Sequence, residues 1–145
     1  MLKKLFTLLL FVFALTLTAC DKKTEVEYPK TYSNVTVIAG EETDAGVVMT
    51  IEADGFHGKV TADVTVKDGK IVAFVVTAHT ESVGWGKALI DEGDFIQALI
   101  DSTNSLDTFD ISAHLDSEAG ATFTGEALLD IAKTALAHYN EDYKK

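Results

Sequence analysis

The residues from Asp116 to Thr124 combine small side chains with hydroxyl groups, directly before a predicted helix. Gly120 and Ala121 allow the backbone to approach another group closely, and Thr122 or Thr124 can cap the helix. The start of a helix presents unpaired N–H groups and a partial positive charge, which both favour a phosphate. The chain contains no arginine, so such a backbone site is the expected place to hold one. The competing interpretation is that both threonines are ordinary helix caps.

The composition excludes several classes of function. The chain has 145 residues and a formal charge of −11, and its 12 basic side chains are all lysine. An acidic surface without arginine argues against nucleic-acid binding, because phosphate backbones are held by clusters of Lys and Arg. It also argues against adsorption to anionic lipid. The four histidines show no spacing typical of metal ligands, so no metal site is predicted.

The first twenty residues have the pattern of an export signal. Lys3 and Lys4 precede an apolar stretch from Leu5 to Ala19, which is short for a membrane-spanning helix and has the length of a signal-peptide core. The alternative is an uncleaved N-terminal membrane anchor. The stretch ends Leu17-Thr18-Ala19-Cys20, and these four residues resemble the lipobox of bacterial lipoproteins, where the signal is cut before the cysteine.

This resemblance implies a lipid anchor on the chain's only cysteine. Cys20 has no partner for a disulfide within the chain. In lipoproteins this cysteine carries a diacylglyceryl thioether, and two acyl chains such as palmitate anchor a protein stably where one is marginal. We expect residues 1–19 to be a lipoprotein signal peptide and residues 20–31 to be the lipidated cysteine and a polar tether. Residues 32–145 are then expected to form one domain on the extracytoplasmic face of the cell membrane.

Alternating and β-branched residues predict four strands in the first half of the domain. The predicted strands cover Tyr32 to Ala39, Gly46 to Ala53, Val60 to Val66 and Ile71 to Thr77. An acidic turn from Gly40 to Asp44 separates the first two, and Asp68-Gly69 predicts a hairpin between the last two. The last strand is apolar on both faces, so we expect it to lie centrally in the sheet, covered by helices.

The second half is predicted to be mainly helical. Residues 86–101 favour two short helices broken near Gly93, followed by a loop from Ser102 to Thr108 and a short strand from Phe109 to His114. From Gly125 to about Asn140, apolar residues recur at intervals of three and four, which predicts a helix with one apolar face. Antiparallel strands packed against helices make an α+β domain.

The pattern Asp116-x-x-Ala119-Gly120-Ala121-Thr122 resembles the flavinylation motif of the FMN-binding domain family. This family includes flavin-bearing subunits of the sodium-pumping quinone reductase and of the related ferredoxin–NAD reductase complex. In it, a flavin transferase uses FAD to attach FMN through its phosphate to the final threonine. The resemblance implies that Thr122 is the acceptor and that Asp116, Gly120 and Ala121 position or recognise it. Ala119 stands where Ser or Thr is usual.

A second stretch supports the same resemblance. Gly55-Phe56-His57-Gly58, the Asp68-Gly69 hairpin and the segment from His79 to Gly86 are similar to the family's sheet and glycine-rich loop. Their order and approximate spacing match across residues 55–137.

The glycine-rich loop offers further candidate contacts to a flat ligand. Gly84 and Gly86 let the main chain lie close to it, and Trp85 either stacks on the isoalloxazine ring or is a core aromatic residue. Glu81 and His79 either hydrogen-bond the edge of the ring or lie at a solvated strand end.

Together, the two resemblances imply an anchored flavoprotein that carries covalent FMN and transfers electrons. The implied partners are a flavin transferase, the membrane and a redox protein or quinone. The sequence shows no nucleophile–base pair and no dinucleotide fingerprint, so an electron carrier is favoured over an independent enzyme. Two alternatives stay open. One is an envelope lipoprotein that acts as a binding or interaction module without covalent flavin, and the other is a flavin-bearing subunit of a larger reductase.

Overall fold

The computed structural model describes residues 25–83, 86–115 and 121–145. This part of the chain forms one antiparallel sheet with helices packed against it. The strands are β1 (Lys30–Tyr32), β2 (Val35–Thr43), β3 (Gly46–Asp54), β4 (Lys59–Lys67) and β5 (Lys70–Ala78), and the α-helices are α1 (Lys87–Asp91), α2 (Asp94–Asp101) and α3 (Ala121–His138). The predicted α+β class is confirmed.

The sheet is a meander in which each strand pairs with the next one along the chain. Buried and half-exposed residues alternate along the whole of β3 and β4, because successive side chains of a strand point to opposite faces. Helix α3 packs across the buried face against both strands. Its Leu128 and Ile131 are fully buried there, together with Met49 and Val64 of the sheet. The hydrophobic core therefore lies between one face of the sheet and α3.

The predicted hairpin between β4 and β5 is confirmed. Asp68 has a φ of 52° and Gly69 a φ of 75°. Positive φ at both central positions gives the mirror-image turn whose twist matches that of the flanking strands. Asp and Gly are among the residues that tolerate this conformation, so the local sequence determines the turn and the pairing next to it. Further along the two strands the register shifts twice.

The start of the sheet differs from the prediction. The single strand expected from Tyr32 to Ala39 is divided, because the chain reverses at Ser33, where φ is 55°, and β1 then pairs with β2. Lys30 and Thr31, which the sequence assigned to the tether, belong to this first strand. The region that folds into the sheet therefore begins two residues earlier in the chain than the pattern indicated.

The predicted acidic turn is also wrong. Strand β2 continues through Gly40 to Thr43, where it pairs with β3, and the chain reverses at Asp44 and Ala45. The side chains of Glu41 and Glu42 are exposed, so strand pairing leaves both carboxylates in solvent. Acidic residues are poor strand formers on average, but an exposed position removes the cost of burying their charge.

The position of β5 corrects another expectation. It lies at one end of the sheet rather than in its centre, and Val72 and Val75 are 51% and 58% exposed. The helices of the second half cover one face of the sheet, so an apolar pattern on both faces did not indicate double coverage here. The backbone N–H of Ile71 donates to Thr103 Oγ1 at 3.1 Å, which satisfies one donor of this edge.

Among the later elements, the two short helices are confirmed, with the break between them at Gly93. The predicted loop contains a 3₁₀ turn at Leu106–Thr108. The predicted strand at the end of this region is wrong, because Ile111–His114 is a second 3₁₀ turn, whose Asp110 side chain accepts from the N–H of Ser112. A side chain that bonds a neighbouring N–H competes with strand pairing.

Helix α3 ends in a buried network of aromatic and charged side chains that also holds the start of the sheet. His138 is fully buried, with Nε2 3.0 Å from the Tyr28 hydroxyl and Nδ1 2.8 Å from the Tyr32 hydroxyl. Asp142, in a π-helical turn over Tyr139–Tyr143, lies 2.9 Å from the same Nδ1 and also binds Lys30. The network thereby joins the start of the sheet, around β1, to the C-terminal end of α3.

This network predicts a pH dependence of stability. Burial lowers the pKa of His138 below its ordinary value of 6.5, and Lys30 acts in the same direction, although the carboxylates of Asp142 and Glu141 oppose them. The unfolded chain therefore takes up this proton first, so the free energy of unfolding should fall as the pH drops below about 6.5. Urea unfolding between about pH 7.5 and about pH 5 measures the effect.

The matched variants for this measurement are His138→Gln and His114→Asn. The first removes the buried titrating group, so stability should become less dependent on pH in this range. The second changes an exposed histidine and controls for the loss of an imidazole outside the network. Identical pH profiles for the wild type and His138→Gln would contradict the assignment.

Candidate functional site

Thr122 lies in the first turn of α3 with its side chain exposed. The helix is present from Ala121 onwards, four residues before the predicted start at Gly125. Thr122 and Thr124 are therefore both inside the helix, and the prediction that either one caps it is wrong. Backbone N–H groups in a first turn lack helical partners and carry partial positive charge. The structure thus places an accessible hydroxyl where an anionic group is favoured.

Thr124 has a different environment from Thr122, although it is only two residues away. Its side chain is fully buried, and Gly86 lies directly against it. A Cβ on Gly86 would overlap Thr124 Oγ1, and the φ of 108° at this glycine is one that other residues rarely adopt. Thr124 therefore packs inside the domain, where it fixes the end of the glycine-rich loop against the first turn of α3.

The turn between β3 and β4 forms a second wall of the site. Gly55 N–H donates to Gly58 O at 2.7 Å and closes the turn. Thr80 Oγ1 donates to His57 O at 2.9 Å, and His57 N–H donates to Glu81 Oε1 at 3.2 Å. The segment after β5 thus binds both the C=O and the N–H of His57, and these two hydrogen bonds hold the β3–β4 turn in place.

Glu81 is buried, with only 5% of its surface exposed, so its interpretation as a solvated strand end is wrong. Its Oε2 has no hydrogen-bond partner within the described chain, and the same is true of the buried His79 Nδ1. Buried polar atoms without partners are rare in folded proteins, and each one calls for an explanation such as a bound group. An unpartnered carboxylate oxygen beside the turn is suited to accept a hydrogen bond from a ligand.

Two exposed aromatic side chains meet next to Thr122. Phe123 follows it on α3 and is 56% exposed, and Phe56 on the β3–β4 turn is 38% exposed. Their ring centroids are 5.7 Å apart and the ring planes are tilted by 41°. This contact brings together residues that are far apart in the sequence, and it places apolar surface beside Thr122.

A pocket of about 250 Å³ opens on the other side of the first turn of α3. It lies between this turn and the helices α1 and α2, and its lining residues are Gly86, Ala88, Leu89, Glu92, Asp94, Phe95, His114 and Ala121. Pockets that enclose a whole drug-sized ligand are typically about 300–1,000 Å³, so this one is suited to part of a cofactor. The carboxylates of Glu92 and Asp94 disfavour the binding of a phosphate inside this pocket.

Several predicted site residues lie outside the described part of the chain. These are Asp116 and Gly120 of the motif, Gly84 and Trp85 of the loop, and the lipidation site Cys20. Their roles stay predictions. Of the remaining candidates, the structure brings Ala121, Thr122 and Thr124 together in one helical turn, whereas Glu81 lies beneath the neighbouring β3–β4 turn.

Three residues of this site were not predicted from the sequence. Phe56 and Phe123 carried no periodic signal, and Thr80 was not distinguished from its neighbours. A usable signal was present for Phe123, since a large apolar residue directly after the threonine of the motif must lie near that threonine.

Two general features complete the description of this part of the chain. None of the helices that the structure describes combines the length and apolar character needed to cross a bilayer. Within the same residues, no group of three or more His, Cys, Asp or Glu side chains is placed to hold a metal ion.

The residues present fit a phosphate-bearing flavin. An exposed hydroxyl at a helix start suits the phosphate, adjacent aromatic surface suits a flat ring, and an unpartnered buried carboxylate oxygen can accept a hydrogen bond. These features come from three segments that are separate in the sequence and adjacent in the fold.

Comparison with known proteins agrees with this chemistry. The model of the FMN-binding domain family matches residues 55–137, from the β3–β4 turn to the last turn of α3. No curated protein and no solved structure matches the chain. The match covers more than half of the sequence and confirms the resemblance of the two motifs. The chain therefore belongs to the FMN-binding domain family, and it is a flavin-binding protein whose cofactor is FMN.

Proposed function

We propose that this protein is a membrane-anchored extracytoplasmic flavoprotein that carries FMN covalently on Thr122 and transfers electrons. The observation that carries the proposal is the exposed side chain of Thr122 in the first turn of α3. Thr124 provides a contrast in the same turn, because its buried hydroxyl is not presented to a modifying enzyme. The motif and the accessible hydroxyl thus select the same residue.

Attachment is a group transfer from FAD without any change of oxidation state. Thr122 Oγ1 bonds to the phosphorus of the FMN half, the pyrophosphate bond of FAD breaks, and AMP leaves. The hydroxyl proton passes to solvent or to the released AMP. A Mg²⁺-dependent flavin transferase supplies the catalysis, and this chain supplies the acceptor and its surroundings. Exposure of the acceptor is essential, because the transferase must reach it.

Once attached, FMN supplies reversible one- or two-electron redox chemistry, and the chain binds and orients it. Thr122 would limit the position of the phosphate, and N–H groups of the first turn of α3 would be available to bind it. The Glu81 carboxylate offers an acceptor beside the β3–β4 turn. We identified no nucleophile–base pair in the sequence, and electron transfer by a carrier needs none. We therefore favour a relay between a donor and a redox protein or quinone.

The anchor in this proposal is Cys20, at the end of a signal-like segment. The lipobox resemblance supports it, and so does the acidic composition, because a chain with 23 acidic and 12 basic residues is poorly suited to adsorb on anionic lipid by charge. Tyr28 and the first residues of β1 lie inside the predicted tether and already bind the rest of the domain. The anchor therefore holds the domain close to the membrane surface.

Intact mass spectrometry of the full chain tests the proposal. The protein is produced in bacteria with and without a flavin transferase and purified from the membrane fraction. With the transferase, the mass should rise by that of FMN less one water, and flavin fluorescence should stay with the denatured chain. Loss of residues 1–19 and addition of lipid on Cys20 are read from the same spectrum. An unchanged mass under conditions that modify another family member would refute covalent attachment.

A further inference from the structure

We propose that Phe56 and Phe123 form the surface against which the isoalloxazine ring of the FMN packs. This inference rests on the proposed attachment at Thr122 and extends it, because it assigns ring-binding residues on two separate elements. Neither residue belongs to the predicted set of cofactor contacts.

Both rings are exposed to solvent. Large apolar side chains are mostly buried, and a contiguous exposed apolar patch is more informative about binding than a single exposed residue. Phe123 is 56% and Phe56 38% exposed, and the rings contact each other at a centroid distance of 5.7 Å. The pair therefore presents aromatic surface to solvent beside Thr122, although the core has room for aromatic residues such as Phe74 and Phe95.

The position of Phe56 is fixed before any ligand binds. The Gly55–Gly58 hydrogen bond closes its turn, and Thr80 and Glu81 bind the backbone of the next residue, His57. Phe56 also packs edge-on against the His57 ring, at 4.7 Å between centroids and 89° between planes. A preorganised wall lowers the entropy lost when a ring packs on it.

Attachment at Thr122 itself brings the flavin ring close to Phe123. Phe123 is the residue next to Thr122 on a regular helix, so the two side chains leave the same turn. FMN joined through its phosphate carries its ring on a short ribityl chain, which keeps the ring within reach of neighbouring side chains. A flat apolar ring tethered there removes phenyl surface from water and gains aromatic contacts.

The experiment compares Phe56→Leu and Phe123→Leu with the wild type, using the full chain loaded by the transferase. Leucine keeps an apolar side chain but removes the aromatic face. Val75→Ala is the control, because it removes exposed apolar surface on the edge strand β5. Intact mass verifies flavin attachment in each protein, and fluorescence per attached flavin, visible absorption and quenching by iodide report the environment of the ring.

We expect all four proteins to gain the same mass. In the two phenylalanine variants, iodide should quench the flavin more readily and the visible absorption band should shift towards that of free FMN, whereas Val75→Ala should match the wild type. Iodide quenching and visible absorption equal to those of the wild type in both variants would overturn the inference. A wild type that gains no mass would instead refute attachment at Thr122.

In that case, titration of the unmodified proteins with free FMN still tests the aromatic pair. Each leucine variant should bind FMN roughly fivefold more weakly than the wild type, which corresponds to the loss of one aromatic contact. Equal affinities in the wild type and both variants would overturn the inference.

Discussion

Replacing Thr122 by valine is expected to abolish covalent attachment of FMN and to leave the fold intact. Valine has nearly the shape of threonine but has no hydroxyl, so no ester to the phosphate can form. The side chain is exposed, and exposed substitutions usually change the free energy of unfolding by less than about 0.5 kcal/mol. Intact mass after treatment with flavin transferase and FAD should therefore equal that of the untreated protein.

Two further variants identify the cause of that loss. Thr122→Ser keeps a hydroxyl at the same position and should still be modified. Thr77→Val removes another exposed threonine hydroxyl, on β5, and should be modified as completely as the wild type. A mass increase in Thr122→Val would show that flavin attaches elsewhere. Thr124 is not a suitable control, because its burial makes any substitution there a change to the core.

Local sequence determined those elements of the fold whose signals are local. The hairpin at Asp68-Gly69 was predicted because its residue types tolerate positive φ, and both positions adopt it. The apolar spacing after Gly125 likewise predicted most of α3, since its buried residues recur along one face. In both cases, the residues that carry the signal are also the ones that adopt the structure.

Other features depended on contacts between distant segments and could not be predicted in the same way. The first turn of α3 includes Thr124, which is buried because Gly86 lies on it, and no pattern within the helix indicates that contact. Strand β5 has an apolar sequence typical of a central strand, yet its place at the edge follows from which face of the sheet the helices cover. Strand composition alone does not contain that information.

The candidate site likewise contains a residue that the local sequence predicted and residues whose positions depend on distant contacts. Thr122 was identified from its motif, and its exposure depends only on its place in one helical turn. Glu81 was predicted as a possible contact, but its burial arises from the β3–β4 turn, whose Gly55 has no room for a side chain next to the carboxylate. The pairing of Phe56 with Phe123 likewise depends on the docking of α3 across the sheet.

The contact between Gly86 and Thr124 gives the second large prediction, because it joins the end of the glycine-rich loop to the helix that carries Thr122. In Gly86→Ala, the new methyl group would overlap the buried Thr124 side chain, at a φ of 108° that disfavours alanine. Backbone strain of about 1–2 kcal/mol and overpacking of about 1–3 kcal/mol should together lower the free energy of unfolding by about 2–5 kcal/mol. Urea unfolding measures this loss.

Gly93→Ala separates the two contributions to that loss. Gly93 also precedes a short helix and has a positive φ of 77°, but a Cβ there would meet nothing within 4 Å. This control should therefore show the backbone strain alone, about 1–2 kcal/mol. The difference between the variants measures how tightly the loop packs on the first turn of α3. Equal losses would mean that the loop moves away at little cost. The loop would then not fix the helix start, and the position of Thr122 would depend on α3 alone.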